Sequence, residues 1–192
     1  GIWKNHSGPV GQLTVTNGSL RVSRTYDEDA NAMFVGPPLD TNSSTVVYSK
    51  FTVKINASGD LPTVNGNYFA HFKDATTSGL VGRVWASTAN TVAPNSFRLG
   101  IGNANTSTAA TAQFPLDLGL GTNYTVVTRL VLSNGVSTIW INPTSETDPS
   151  VTAADTVTNL VAPSAYAFRE DSSEGNILVD DLVVATTFAD GL

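Results

Sequence analysis

The sequence predicts an all-β protein, a two-sheet antiparallel jelly-roll sandwich. Three observations favour this fold class. Helical periodicity of apolar residues is almost absent, short runs rich in Val, Thr, Phe and Tyr recur along the chain, and clusters of Gly, Pro, Asn and Ser separate those runs. The 192 residues include no Cys, and this length can bury a substantial core without disulfides. We therefore expect a single jelly-roll domain over residues 1–192.

The predicted strands follow the apolar and β-branched runs in chain order. They are Gln12–Val15, Ser19–Ser23, Ala32–Val35, Val46–Ile55, Tyr68–Lys73, Gly79–Ser87, Ser96–Asn103, Tyr124–Leu132, Val136–Ile141, Ala165–Glu170 and Asn176–Thr186. Asn134-Gly135 stands between two alternating runs, which is typical of a tight hairpin. The segment Thr144–Pro163 predicts a long connection with a short edge strand or a helical turn.

Two strands carry expectations about topology. The last strand, Asn176–Thr186, is expected to pair near the N-terminal strands. Ala32–Val35 precedes Gly36-Pro37-Pro38, and proline cannot donate to a strand ladder. We therefore expect Ala32–Val35 to be a short edge strand.

Composition restricts where the protein acts and what it binds. Charged residues make up only 14% of the chain, and Ser, Thr, Asn and Gly are abundant, which favours an extracellular or cell-surface location. The first residue is Gly, so we expect a processed product or an excised part of a larger exported protein. No apolar stretch reaches the roughly 18 residues of a membrane span. A net charge of −6 argues against nucleic acid as a partner.

Strand alternation groups a set of candidate binding residues. Within Tyr68–Lys73, His71 is expected to share a face with Phe69 and Lys73, and Arg83 is expected to share one with Trp85. Long charged side chains in the middle of strands are costly unless their face is wet or paired. We therefore predict one sheet face that binds ligand through His71, Arg83, Trp85, Arg98, Trp140 and Arg169.

The chemistry of this face suits a sugar. Aromatic planes stack on sugar rings, and guanidinium groups clamp carboxylates or sulfates with two hydrogen bonds. The alternative is that the arginines pair with Glu170, Asp74 or similar acids and serve only the structure.

Catalytic patterns are weak. A glycan hydrolase of such a sandwich needs carboxylates that alternate along one strand, and none of the acidic clusters has that spacing within an aromatic strand. His6 and His71 are the only histidines, and no nucleophile-elbow motif surrounds a Ser. Two separate histidines also argue against a zinc site.

Seven motifs in order resemble a known family over nearly the whole chain. They are Tyr68-Phe-Ala-His-Phe-Lys-Asp74, Gly82-Arg-Val-Trp85, Phe97-Arg-Leu-Gly-Ile101, Tyr124-Thr-Val-Val-Thr-Arg129, Trp140-Ile-Asn-Pro143, Tyr166-Ala-Phe-Arg169 and the run from Val179 to Asp190. This series resembles the laminin-G-like, concanavalin-A-like jelly-roll modules of secreted or surface-anchored bacterial proteins. The resemblance implies the fold but not one activity, because the fold serves lectins, adhesion modules and glycan-cleaving enzymes.

A structural calcium ion is a further expectation from this resemblance. In such modules an Asp of the C-terminal strand often joins oxygens of an N-terminal loop, and calcium prefers oxygen ligands. The matching positions are Asp180 or Asp181 with Asp27, Glu28 or Asp29. The alternative is that these carboxylates accept backbone N–H groups at a bulge or turn.

Two functional hypotheses remain open. The leading one is a non-catalytic extracellular module that binds carbohydrate or mediates adhesion, with a glycan as partner. The other is a structural, self-associating subunit of a cell surface or filament, whose partners are neighbouring copies. Gln12–Ser23 contains no proline or lysine to guard an exposed edge, so self-association is expected to use the N-terminal strands. A glycan hydrolase or lyase is less favoured.

Overall fold

The computed structural model describes residues 3–76, 78–104 and 108–191, and their regular structure is almost entirely β. The strands are β1 (Trp3–Ser7), β2 (Thr14–Thr16), β3 (Ser19–Ser23), β4 (Asp29–Met33), β5 (Val46–Lys54), β6 (Asn67–Lys73), β7 (Leu80–Ser87), β8 (Ser96–Gly102), β9 (Ala112–Gln113), β10 (Leu118–Gly119), β11 (Tyr124–Val131), β12 (Ser137–Ile141), β13 (Ser150–Thr152), β14 (Ala165–Arg169) and β15 (Asn176–Ala185). Two short 3₁₀ helices span Ser58–Asp60 and Ala189–Gly191. Within these described ranges, no helix has the length and apolar character to cross a membrane.

The strands form two antiparallel sheets that remain separate. The first sheet has the order β1-β4-β14-β6-β7-β8-β10, and β9 also pairs with β8. The second sheet has the order β13-β12-β11-β5-β15-β3-β2. Consecutive strands along the chain often lie in different sheets, as a jelly roll requires. The predicted fold class, a two-sheet antiparallel jelly-roll sandwich, is confirmed.

The inner faces of the two sheets enclose an aromatic core. Phe51, at the centre of the second sheet, has its ring centre 5.7 Å from that of Phe168 and 6.2 Å from that of Phe69 in the first sheet. Tyr166 packs at 5.9 Å from the same ring. All four side chains are buried, and such edge-to-face pairs stabilise a core beyond the area they bury. These aromatic contacts therefore join the two sheets at the centre of the sandwich.

Several predicted features agree with this architecture. β11 and β12 form the hairpin expected at Asn134-Gly135, and Gly135 has a φ of 70°. The long connection after Thr144 contains β13, a three-residue edge strand. β15 pairs with β3, so the last strand does lie beside an N-terminal strand.

The expected edge strand at Ala32–Val35 is wrong. The strand in this region is β4, and it lies between β1 and β14 rather than at an edge. β1 covers it, and no sequence pattern predicted β1, because Trp3–Ser7 has no apolar alternation and is largely exposed. An edge strand with one buried neighbour needs little apolar pattern of its own.

A second, smaller cluster lies on the outer face of the second sheet. Trp140 packs against Phe188 with ring centres 5.6 Å apart, and Tyr48 contacts the same phenyl ring at 5.7 Å. Val127 completes the cluster. Phe188 follows β15 and precedes the last 3₁₀ helix, so the C-terminal segment folds back over this face and covers it.

Candidate functional site

The outer face of the first sheet holds most of the side chains that the sequence singled out. Val84 and Leu99 point into the core, so alternation directs their neighbours on β7 and β8 outwards. Ring and guanidinium contacts place the side chains of β6 and β14 on the same outer face. Five of the six residues predicted to share a face do so: His71, Arg83, Trp85, Arg98 and Arg169.

Irregular pairing between β6 and β7 decides which side chains face outwards. The register shifts twice along this pair, and Gly82 has a φ of 61°, a left-handed conformation that suits glycine. The expected grouping of His71 with Phe69 is therefore wrong, because Phe69 packs in the core while His71 lies on the outer face. His71 does share this face with Lys73.

Tyr68 lies at the centre of the site. The guanidinium carbon of Arg169 is 4.4 Å from its ring centre and that of Arg83 is 4.7 Å away. The rings of His71 and Trp85 are each 5.5 Å away. Burial raises the pKa of Tyr68, although the two guanidinium charges oppose this shift, so the phenol stays protonated at neutral pH. Tyr68 itself is half-buried, so part of it remains accessible.

Two carboxylates hold Arg169 in place. It donates a hydrogen bond of 2.8 Å to Asp171, and its Nε lies 3.9 Å from Asp29 on the neighbouring strand. Burial raises the pKa of Asp29 to about 6, and the Arg169 charge counteracts part of that shift. All three side chains are partly accessible. The site therefore presents a cation and two acids next to the ring of Tyr68.

The two histidines are uncharged at neutral pH. Their rings meet edge to face with centres 6.1 Å apart. Burial lowers the pKa of His6 to about 4, and the nearby charge of Lys73 lowers it further. Burial also holds the pKa of His71 well below its usual range, and both of its ring nitrogens lack a hydrogen-bond partner among the described residues. His71 has no exposed surface, so it packs beneath the residues that line the site and does not line it itself.

The other arginines are engaged within the protein. Arg98 forms an ion pair of 2.6 Å with Asp117, whose second oxygen accepts the backbone N–H groups of Val92 and Ala93. Arg83 is 2% exposed and donates a hydrogen bond to the carbonyl of Ala104. The alternative of arginines paired with acids applies to Arg98 and Arg169, but those pairs lie on the outer face and do not involve Glu170 or Asp74. Their binding role stays a prediction.

Trp140 does not belong to this face, and that part of the prediction is wrong. It lies on β12 of the second sheet and points away from the core on the opposite side of the sandwich. The motif containing Trp140 showed that it lies in a strand but could not show in which sheet. Its ring is 2% exposed beneath Phe188.

The four aspartates predicted to bind calcium do not converge. Asp29 pairs with Arg169 on the first sheet, whereas Asp180 and Asp181 lie in the second sheet. Asp27 is exposed in the loop before β4. Among the described residues, no three His, Cys, Asp or Glu side chains form a group that could hold a metal ion.

The alternative interpretation of Asp180 and Asp181 is supported. The pairing of β15 with β5 shifts register after Asp180, and Asp181 has a φ of 56°. The carboxylate of Asp180 accepts the backbone N–H of Asp181 and the hydroxyl of Ser19. The two acids therefore form a β-bulge, and both remain exposed.

Buried carboxyl groups lie at one end of the site. Glu170 is 1% exposed, and one of its oxygens accepts the backbone N–H of Ser23 while the other has no partner among the described residues. Burial raises its pKa to about 7. Burial also raises the pKa of Glu174 well above its usual range. Both groups follow Arg169 in the chain, and their protonated, neutral form costs less free energy to bury than the carboxylate.

Sequence reasoning missed the two residues that organise the site. Tyr68 opens the motif that carried the family resemblance. It stands at the end of a strand-like run, so the sequence did not indicate that it lies at the centre of the site. Asp29 was assigned to a metal, whereas the structure pairs it with Arg169. Strand register brings these two together with Arg169, and register cannot be derived from composition.

No family model and no curated protein matches this sequence. Solved structures match in fold. A marine PL7 alginate lyase from Zobellia galactanivorans is 13% identical with a TM-score of 0.59, covering 97% of this chain and 95% of that one. Lectin I-B4 from Griffonia simplicifolia is 15% identical with a TM-score of 0.56, covering 97% and 93%. The exoplasmic domain of VIP36, bound to calcium and Man2, is 11% identical with a TM-score of 0.57, covering 97% and 82%.

These similarities agree with the fold described above. The chain has the concanavalin A-like jelly-roll fold, as the resemblance in its motifs implied. Proteins of this fold include both carbohydrate-binding lectins and alginate lyases. At these low identities the likeness concerns the fold alone, so function must be argued from the site.

Proposed function

We propose that this chain is a non-catalytic carbohydrate-binding module that acts outside the cell or at its surface. Its binding surface is the outer face of the first sheet around Tyr68 and Arg169. The observation that carries this proposal is the half-buried ring of Tyr68 beside two guanidinium groups, with their carbon atoms 4.4 Å and 4.7 Å from the ring centre.

The chemistry of the surface matches a sugar. The accessible part of the Tyr68 ring offers apolar surface for the C–H face of a pyranose ring. Arg169 supplies N–H donors, while Asp29 and Asp171 supply acceptors for sugar hydroxyls. Because the two acids already hold the guanidinium in place, binding orders few additional side chains and loses little conformational entropy.

The fold supports the same proposal. Lectin I-B4 has this fold, and VIP36 was solved in complex with Man2. The location of the face on the broad side of a sheet also leaves room for an extended polymer. Arg169 also has N–H donors for a carboxylate or sulfate group of a polymer, although it shares its charge with Asp29 and Asp171.

A glycan array that includes neutral, uronate-rich and sulfated polymers tests the proposal. We expect binding of at least one polymer class, and Tyr68→Ala should weaken it by up to about tenfold, since one aromatic contact is worth about 0.5–1.5 kcal/mol and 1.4 kcal/mol corresponds to a factor of ten. Tyr26→Ala is the matched control, because Tyr26 is 38% exposed and lies in the loop after β3. Silence across the array, or equal losses in both variants, would contradict the proposed surface.

A lyase is the competing activity on this face, because alginate lyases share the fold. Incubation of the parent protein with uronate polymers separates the two functions. A general base must reach the proton that it removes, and His71, the histidine next to Tyr68, has no exposed surface. We therefore expect the polymers to keep their length. Polymer shortening that disappears in Tyr68→Phe would establish an enzyme instead of a binding module.

A further inference from the structure

A short loop leads from the proposed binding surface to the opposite sheet. Residues 170–175 connect β14 in the first sheet to β15 in the second. The carbonyl of Ser173 accepts the backbone N–H of Thr63 at 3.0 Å. Gly175 has a φ of 90°, and a Cβ at this position would lie 2.5 Å from the backbone oxygen of Asp60. The loop is therefore fixed against the connection that precedes β6, and its last position requires glycine.

Within this loop, the side chain of Glu174 turns back onto Asp171. Its Oε1 accepts the backbone N–H of Asp171 at 2.7 Å, and Glu174 has no exposed surface. The carboxylate of Asp171 in turn accepts a hydrogen bond from the side chain of Arg169 and another, of 3.1 Å, from the backbone N–H of Ser173. These contacts form one chain of hydrogen bonds that begins at a buried carboxyl and ends at Arg169, beside the ring of Tyr68.

The environment of Glu174 favours its neutral, protonated form. Its second carboxyl oxygen has no hydrogen-bond partner within the part of the chain that the structure describes, and burial raises its pKa well above the usual range. The charge of Arg169 favours ionisation, whereas the charges of Asp171 and Glu170 oppose it. Two charged groups lie at the adjoining connection, each with its own hydrogen-bond partner: Asp60 with Asn176, and Arg24 with the carbonyl of Leu61.

We propose that Glu174 is a positioning residue of the binding surface. As the neutral acid it fixes Asp171, and through Asp171 it holds the guanidinium of Arg169 against the ring of Tyr68. This inference rests on the proposed function and names the buried residue that keeps that surface in its binding arrangement. Groups that are already held in place lose less conformational entropy when a sugar binds. A carboxyl that does not contact the sugar thereby controls the affinity of the surface.

The side-chain N–H signal of Arg169 in nuclear magnetic resonance spectra tests this positioning without any sugar. Glu174→Leu removes the acceptor at similar size, so we expect this N–H to exchange with water about tenfold faster, because the group that it bonds is no longer fixed. Glu170→Leu is the matched control, because the same change in the same loop removes a buried carboxyl that bonds to Ser23 and not to Asp171. Unchanged exchange in Glu174→Leu, or equal acceleration in both variants, would overturn the inference.

Binding measurements with alginate, dextran sulfate and dextran as probes extend the test to the surface. Asp171→Ala and Glu174→Leu should each weaken binding of the probe that the parent binds by about tenfold, and the double variant should lose little more, because both changes interrupt the same chain. Glu174→Gln should restore most of the loss, since it keeps the acceptor oxygen and is uncharged. Additive losses would overturn the inference. A parent that binds none of the three probes would contradict the proposed function, and the exchange of the Arg169 N–H would still decide the positioning role.

The pH dependence of binding separates positioning from packing. The proton on Glu174 is lost only as the pH rises through its raised pKa, and the ionised group then repels Asp171. From about pH 5 to about pH 9, we therefore expect the affinity of the parent to fall relative to that of Glu174→Gln. Asp29 and Glu170 titrate in both proteins, so the ratio of the two affinities removes their contribution. This comparison does not depend on the folding of Glu174→Leu, and a constant ratio would overturn the inference.

Discussion

The guanidinium of Arg169 contacts the ring of Tyr68 at 4.4 Å and at the same time donates a hydrogen bond of 2.8 Å to Asp171. One side chain therefore joins the proposed binding surface to an ion pair that stabilises the sheet. Binding and stability are coupled at this residue. Variants of the site must be compared by both measurements, because a loss of binding alone does not show contact with a ligand.

Replacement of Arg169 by alanine should destabilise the fold more than replacement of Arg129, whose side chain is more accessible. Asp29 and Asp171 would lose their counter-charge in a partly buried setting, so we expect a loss of about 3 kcal/mol in the free energy of unfolding. Arg129→Ala is the control, because its pair with Glu146 is more exposed and this pair and the Arg129 contact with the Trp140 ring should contribute about 1 kcal/mol each or less. Urea denaturation measures both. Equal losses would contradict the role of Arg169.

Glu170 should make the folded protein less stable as the pH rises. Its folded pKa is about 7, whereas the ordinary value is 4.5, so the folded state holds a proton that the unfolded state has released between these values. Stability from this group is fully present below about pH 4.5 and is lost as the pH rises through 7. Glu170→Gln keeps an oxygen that accepts the N–H of Ser23. When the pH rises from 4.5 to 8, the free energy of unfolding of this variant should increase by roughly 2–3 kcal/mol relative to that of the parent. If the stabilities of variant and parent change with pH in the same way, the role of Glu170 is wrong.

His71 should have the opposite dependence. Burial lowers its folded pKa well below 6.5, so the unfolded state binds a proton first as the pH falls, and stability decreases below about pH 6.5. His71→Phe removes this term and leaves no ring nitrogen unpartnered. We expect little change in melting temperature at pH 8 and a higher melting temperature than the parent at pH 5. A variant that loses stability equally at both values would indicate that packing, not protonation, dominates.

Excess chelator should leave the melting temperature within about 1 °C of its value in calcium, because a ligand stabilises a fold only where it binds the native state. The reason is the separation of the four candidate aspartates, of which Asp29 pairs with Arg169 and Asp181 lies in a bulge of the other sheet. Calorimetry with and without added calcium measures this. A reversible decrease in melting temperature with chelator would show that calcium binds at other oxygens.

Local pattern was enough to predict the fold class and several connections. β-branched runs separated by turn residues indicated a sandwich, and Asn134-Gly135 predicted the β11–β12 hairpin, because a tight turn depends on residues adjacent in sequence. Alternation also predicted that Arg83 and Trp85 share a face. These features are local, so they can be derived from neighbouring residues alone.

The composition of the site depended on contacts that no local pattern contains. Trp140 and Trp85 both lie in strand-like runs, yet only the packing of the two sheets places one under Phe188 and the other beside Tyr68. The register shift between Tyr68 and Ala70 left Phe69 in the core and His71 on the outer face. A side-chain repeat of two residues reverses with every one-residue shift, and such shifts are set by pairing across strands. The residue types of a sugar-binding surface were therefore visible in the sequence, whereas its centre at Tyr68 and the pairing of Asp29 with Arg169 were decided by tertiary structure.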